Sequence, residues 1–252
     1  PWQYSLFETS SVENFVHQVM SDPAFGGASV TIPHKQAIMP HLDSISEAAH
    51  KIGAVNTIVV QRSEKDPATR SLHGDNTDWL GIQRPMRAAL AQIHYHPSDA
   101  KVGLVIGAGG TARAAVYALR SLGLEVLVWN RSPQSASALV EDFGAGVYLC
   151  LDLGSAAIVA SALGTAEADL VVGAVVSTVP AAAEFQLPEW IIKDQEHSPV
   201  ILDAAYKPAI TALIRQVLVS SHCPHYSMEL LLVFFLPFVS DRMSPQSPML
   251  RF

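Results

Sequence analysis

Residues 105–115 read Val-Ile-Gly-Ala-Gly-Gly-Thr-Ala-Arg-Ala-Ala, and the fold turns on them. They give the end of a β-strand, a glycine turn and the start of a helix. Gly107 permits the tight turn, and Gly109 lets the backbone approach a diphosphate. The helix start then offers that anion its free N–H groups and positive dipole end. Gly107, Ala108, Gly109, Gly110 and Thr111 are the expected cradle. A glycine fingerprint alone is weak, and the strand-to-helix setting gives this one its weight. The bland alternative is a glycine turn that merely packs helix on sheet.

Outward from this loop the chain alternates. Strands are expected at 101–106, 125–129, 147–149, 170–176 and 200–204. Helices are expected at 111–122, at 133–143 and, after the 147–149 strand, in an Ala-rich stretch to about Leu163. Such alternation implies a parallel sheet with helices on both faces. The second strand ends Asn130-Arg131-Ser132. An acid there would hold a ribose 2′-hydroxyl; Asn130 followed by the cation Arg131 favours NADP over NAD.

Upstream, the composition changes at Pro97-Ser98-Asp99. The segment before it carries three informative runs: Gly27-Ala28-Ser29-Val30-Thr31-Ile32-Pro33-His34-Lys35, Gly53-Ala54-Val55-Asn56-Thr57 and Gly74-Asp75-Asn76-Thr77-Asp78. Lys35 and Asp78 are an expected ion pair at a substrate hydroxyl, suited to taking a proton while a hydride leaves. Residues 4–8 read as a short strand, Ser11 as a helix cap, and 28–32 as a strand. Residues 35–42 and 44–51 read as two short helices, 55–61 as a strand, 62–70 as a hairpin loop and 78–92 as a helix.

Bulk properties exclude several functions. The chain has 252 residues, 49% of them hydrophobic and 15% charged, which suits a folded α/β protein. A net charge of −7 without a basic cluster argues against nucleic-acid binding. Cys150 and Cys223 are the two cysteines and make no disulfide framework, so an intracellular setting is expected, cytoplasmic or nuclear. No metal site is expected; the His222-Cys223-Pro224-His225 run lacks a second ligand pair and reads as a loop. No signal peptide is visible. The apolar run 230–238 is too short to span a bilayer and reads as a buried helix.

The separate motifs together resemble the shikimate dehydrogenase family, in the form fused into fungal multidomain proteins. One such protein is an enzyme polypeptide of aromatic amino-acid biosynthesis; another is a repressor of quinate utilisation. The similarity runs from about Tyr4 to about Gln216. The resemblance implies a Rossmann-type NAD(P)-binding domain at 98–215. It also implies a smaller α/β substrate domain at 1–97, completed by a C-terminal helix within 216–252. By resemblance, Ser29 to Lys35, with Thr31 as a substrate contact, is similar to the catalytic-lysine run. Asn56 contacts substrate hydroxyls, Asp78 partners Lys35, and Tyr206 in Asp203–Pro208 lies near substrate and nicotinamide. Ser177-Thr178-Val179-Pro180 is similar to the loop passing the cofactor. The implied chemistry is oxidation of a ring hydroxyl on a cyclic carboxylate, with NADP taking the hydride.

Three departures bear on activity. The family's opening strand and two-serine turn for the substrate carboxylate would precede Pro1. The substrate domain is therefore expected to lack its first strand, with an altered sheet or burial against a second copy. A substrate-facing Gln of the C-terminal helix aligns with Phe234. No second cation follows Arg131 in residues 133–136. Two readings stay open. The first is a non-catalytic domain sensing quinate-type metabolites within a repressor, with NADP weak or absent. The second is an active NADP-dependent dehydrogenase. A relic that binds neither ligand is the remainder. The expected partners are a quinate- or shikimate-type acid, other domains of the parent polypeptide, an activator protein and a second copy, with no nucleic acid or membrane.

Overall fold

In the computed structural model, residues 3–63, 66, 69–92, 102–193 and 199–220 are described. The expectations for His94, His96, Pro97–Asp99, His222–His225, the apolar run 230–238, Phe234 and the tail fall outside them. So does most of the C-terminal helix.

In the first unit, Ser11 caps α1 (Val12–Phe15) by accepting the Asn14 N–H at 3.4 Å, and the chain continues as one wide π-turn, Val16–Met20. Strand β1 (Gly27–Ser29) pairs antiparallel with β3 (Thr57–Arg62), which pairs antiparallel with β4 (Arg70–Asp75). The short β2 (Ser44–Ile45) runs parallel to β4 on its other side, giving the order β1-β3-β4-β2. Helix α2 (Glu47–Ile52) starts at the Ser46 cap and stops at Gly53, which takes the left-handed conformation at φ 69°. Val12, Met20, Phe25, Ile38, Ala49, Val55 and Ile58 form the core of this unit.

Three local expectations need correction here. Residues 4–8 form no strand: they pair with nothing among the described residues, and Tyr4 and Leu6 stand exposed. Residues 35–42 form turns and a single 3₁₀ turn at Met39–His41, because Pro40 has no N–H to continue a helix. The stretch from Ser44 is a strand before it is a helix. Ser44 and Ile45 lie beside His73 and Gly74, and helix begins only after Ser46 supplies a cap.

The second unit starts at Thr77. Helix α3 (Asp78–Gln92) packs on α4 (Gly110–Ser121) through an edge-on Trp79–Tyr117 contact at 5.2 Å and a Gln83–Ser121 hydrogen bond. α3 thus lies with this unit, ahead of the composition change at Pro97. Strands β5 (Val102–Ile106), β6 (Glu125–Trp129), β7 (Val147–Leu149), β8 (Val172–Ser177) and β9 (Val200–Asp203) form an all-parallel sheet ordered β7-β6-β5-β8-β9. The connections carry α4, α5 (Pro133–Phe143), α6 (Ala156–Leu163) and α7 (Glu189–Lys193). After β9 comes α8 (Ala212–Ser220). α7 was not expected from the sequence, being too short to show a period; of the helix expected at 216–252, residues 216–220 fall in α8, which starts earlier, at Ala212.

Every residue of β5 and β8 is buried, as parallel strands covered on both faces require. The chain order reverses at β5, which has β6 on one side and β8 on the other. Ligands of such sheets bind at that switch point, beyond the carboxyl ends of the strands. Among the described residues, no helix is long and apolar enough to cross a membrane. Burial pushes the Cys150 thiol above its ordinary range, and its Sγ donates to the Asp152 carbonyl.

Leu127 is fully buried at the centre of the parallel sheet's core. Leu127→Ala is expected to cost about 2–5 kcal/mol through lost transfer energy and a residual cavity. Urea unfolding followed by tryptophan fluorescence measures it.

Candidate functional site

The first unit gathers the first two sequence runs and the start of the third, Gly74 to Asn76, around the end of β4. Val30 N–H donates to the Asn56 carbonyl at 2.7 Å, and Val55 N–H to the Lys35 carbonyl at 2.7 Å. Asn56 N–H donates to the Asp75 carbonyl at 3.0 Å. Register repeats the message: Ser29 lies opposite Thr57, and Thr57 opposite Asp75. Runs far apart in sequence are thus held by backbone bonds, which no choice of side chain supplies. Gly74 belongs to this junction for steric reasons. A Cβ there would come within 2.5 Å of Leu42 Cδ1 and 3.0 Å of Val55 Cγ2.

Lys35 is 8% exposed, Asn56 half-buried and Thr31 exposed. The Thr57 hydroxyl donates to Asn56 Oδ1 at 2.8 Å and orients the amide. His34, between Pro33 and Lys35, is tied by Nε2 to the Thr9 carbonyl at 2.7 Å. Thr31, Lys35 and Asn56 therefore share one unit. Asp78 opens α3 in the other unit, and Tyr206 follows β9 there, 51% exposed.

Three residues here were not singled out from the sequence: Ser46, Asp75 and Asn76. Asn76 is 1% exposed, and its Nδ2 donates to the Ala54 carbonyl at 2.9 Å. One signal was available. Ser46 precedes the acidic Glu47 at a helix start, the pattern of a cap.

In the second unit the glycine turn has two unlike glycines. Gly107 sits at φ 116°, its N–H donates to the Trp129 carbonyl at 2.8 Å, and a Cβ would collide with Thr178 Oγ1. Thr178 itself is tied to the Ile106 carbonyl through both N–H and Oγ1, at 2.9 and 3.0 Å. The fold requires Gly107. Gly109 has an ordinary φ of −86°, and a Cβ there would meet nothing within 4 Å. No packing contact needs a glycine at 109, whereas a diphosphate approaching the backbone would. No side chain caps α4 at Gly109, so its first N–H groups suit an anion. Ala108, Gly110 and Thr111 complete this turn at intermediate exposure.

Arg113, the cation nearest the turn, faces inward. Its guanidinium meets Asp142 Oδ2 at 2.7 Å and stands 5.5 Å from the centre of the Phe143 ring, clamping α4 to α5. Asn130 Nδ2 donates to the Ser132 carbonyl at 3.0 Å, and Arg131 is exposed. Ser177 is 1% exposed, and its hydroxyl finds no hydrogen-bond partner among the described residues. Ser177, Val179, Phe185, Asp203 and Thr211 line a small, shallow cleft beyond β8 and β9. Asp203 steadies the loop that carries Tyr206 by accepting from Ala205 N–H at 3.1 Å and the Thr211 hydroxyl at 2.6 Å.

Comparison with known proteins adds the following. The family model for the shikimate dehydrogenase substrate binding domain matches residues 1–58, and that for shikimate / quinate 5-dehydrogenase matches 89–220. The pentafunctional AROM polypeptide of Mycosarcoma maydis is 36% identical over 229 residues, covering 85% of this chain and 13% of that protein. The quinate repressor protein of Emericella nidulans is 35% identical over 256 residues, covering 88% and 27%. The solved shikimate 5-dehydrogenase of Thermus thermophilus, in complex with NADP(H) and shikimate, is 32% identical with a TM-score of 0.54, covering 79% and 66%. The chain thus spans about an eighth to a quarter of the two fungal relatives.

Gly107→Ala is expected to destabilise the second unit by about 1–3 kcal/mol, from backbone strain and the displaced Thr178. Gly109→Ala should leave its melting temperature unchanged. Differential scanning fluorimetry of both variants tests the contrast.

Proposed function

This chain belongs to the shikimate / quinate 5-dehydrogenase family, and from that premise we propose that it senses a cyclic hydroxy acid of the quinate or shikimate type. It acts as a non-catalytic domain of a larger fungal polypeptide that regulates quinate utilisation. The observation that carries this is the pairing of a built substrate side with a thin nucleotide side. On the substrate side, Lys35 is buried and its run is bonded to the Asn56 run, which is bonded to Asp75. On the nucleotide side, the turn at 130–136 has one cation, the exposed Arg131, and the Asn130 amide is spent on its own loop.

The residues present do fit a nucleotide diphosphate. Gly109 leaves room, and the uncapped start of α4 supplies N–H donors with Ala108, Gly110 and Thr111. Bound there, NADP supplies a hydride acceptor. Arg131 alone would face its 2′-phosphate, where a second charged partner would normally strengthen the hold. Sensing needs only unequal ligand affinity for two states of the parent protein, not hydride transfer.

A second reading, an active NADP-dependent dehydrogenase, is favoured by Lys35. A lysine 8% exposed is suited to take the ring-hydroxyl proton, and the family pattern assigns Asp78 as its charge partner. The family pattern assigns Thr31 and Tyr206 to the acid in either reading.

Initial rates of NADP and NAD reduction with shikimate and with quinate, beside Lys35→Ala, separate the two. No rate with any pair, together with saturable quinate binding by calorimetry, is expected. A rate that Lys35→Ala abolishes would establish the dehydrogenase.

A further inference from the structure

Asp75 is the second residue of the Gly74–Asp78 run, and the chemistry assigned to that run needs only its last acid. Yet Asp75 and its neighbour Asn76 bond to Ser46, Ala54 and Asn56 around the first unit's candidate ligand turn. Its Oδ1 accepts the Ser46 hydroxyl at 2.5 Å and the Asn76 N–H at 2.8 Å. Its carbonyl accepts the Asn56 N–H at 3.0 Å. Asn76 Nδ2 adds the bond to the Ala54 carbonyl at 2.9 Å.

These bonds have a common geometry. Ser46 begins α2, Gly53 ends it, and Ala54 to Asn56 follow directly. The segment from Ser46 to Asn56 is thus clipped at both ends, and at Ala54 just after α2, onto Asp75 and Asn76. The Ser46 hydroxyl has two tasks at once. It accepts the Ala49 N–H at 3.0 Å as the cap of α2, and it donates to the carboxylate. A carboxylate accepting two donors on one oxygen makes stronger bonds than a neutral acceptor. Asp75 Oδ2 takes no hydrogen bond from the described residues.

We infer that Asp75 is a positioning residue. Through Ser46 and its own carbonyl it fixes where the Asn56 amide stands, and so sets affinity for the hydroxy acid without touching it. This rests on the reading of Asn56 as a contact to ligand hydroxyls. A rigid amide matters because a displacement of about 1 Å at an orienting group can cost a hundredfold in function.

The test is a double-mutant cycle on the whole chain, with quinate and shikimate titrated by calorimetry and melting followed in parallel. Asp75→Ala and Ser46→Ala should each weaken binding about tenfold or more, and the double variant no further than Asp75→Ala alone. Asp75→Asn keeps one oxygen acceptor and should restore most of the affinity. Additive losses, or Asp75→Ala binding as tightly as the unaltered chain, overturn the inference. If Asp75→Ala fails to fold, Ser46→Asp carries the test, because aspartate still caps α2 but has no hydroxyl to donate to Asp75. Weakened binding supports the clip, and unchanged affinity refutes it. Asn56→Ala separates the underlying reading. If Asn56→Ala weakens binding while Asp75→Ala does not, only the clip is wrong. If Asn56→Ala changes nothing, or the unaltered chain binds neither acid, the reading of Asn56 fails and the clip fails with it.

Discussion

A strand buried on both faces must have a hydrogen-bonded neighbour on each side, because an unpaired backbone group away from water costs as much as a lost bond. β5 is such a strand. With β6 on one side and β8 on the other, all five of its residues are buried. Everything that matters in the second unit hangs from its end. The chain leaves β5 at Ile106, whose carbonyl takes both the N–H and the hydroxyl of Thr178. Thr178 in turn occupies the space that a side chain at 107 would need. The glycine turn is therefore a consequence of how two neighbouring strands end, before any nucleotide is considered.

The two glycines of that turn show how structural and ligand-directed constraints can be separated. One residue is demanded by positive φ and a neighbour in contact; the other has ordinary backbone geometry and open space in front of it. Arg113 makes a similar point with charge. A cation three residues past Gly110 looks available to a phosphate in the sequence, but it is spent inside the fold on Asp142 and Phe143. A buried guanidinium left unpaired would be costly, so its carboxylate partner is part of the local architecture.

Much of the parallel-sheet unit was legible beforehand. Residues 125–129, 133–143 and 147–149 form the expected elements to the residue, because β-branched runs alternate there with helical periods and with clear stops at Pro133 and Gly144. The first unit was harder. Its elements are two to six residues long, too short for a period to show, and the short strand β2 exists only because β4 lies beside it. The same shortness hid the role of Asp75 and Ser46, whose contact joins residues 29 positions apart.

By itself, the sequence determined the α/β class, the glycine turn between strand and helix, the family resemblance and the candidate residues Lys35, Asn56 and Asp78, since these are matters of local pattern and residue chemistry. Tertiary structure decided which of those side chains are committed to the fold. Pairing partners, burial and the space in front of a Cβ are set by residues distant along the chain. That is why Arg113 turned inward, Gly109 was left open, and Asp75 gathered Ser46 and Asn56 around one carboxylate and one carbonyl.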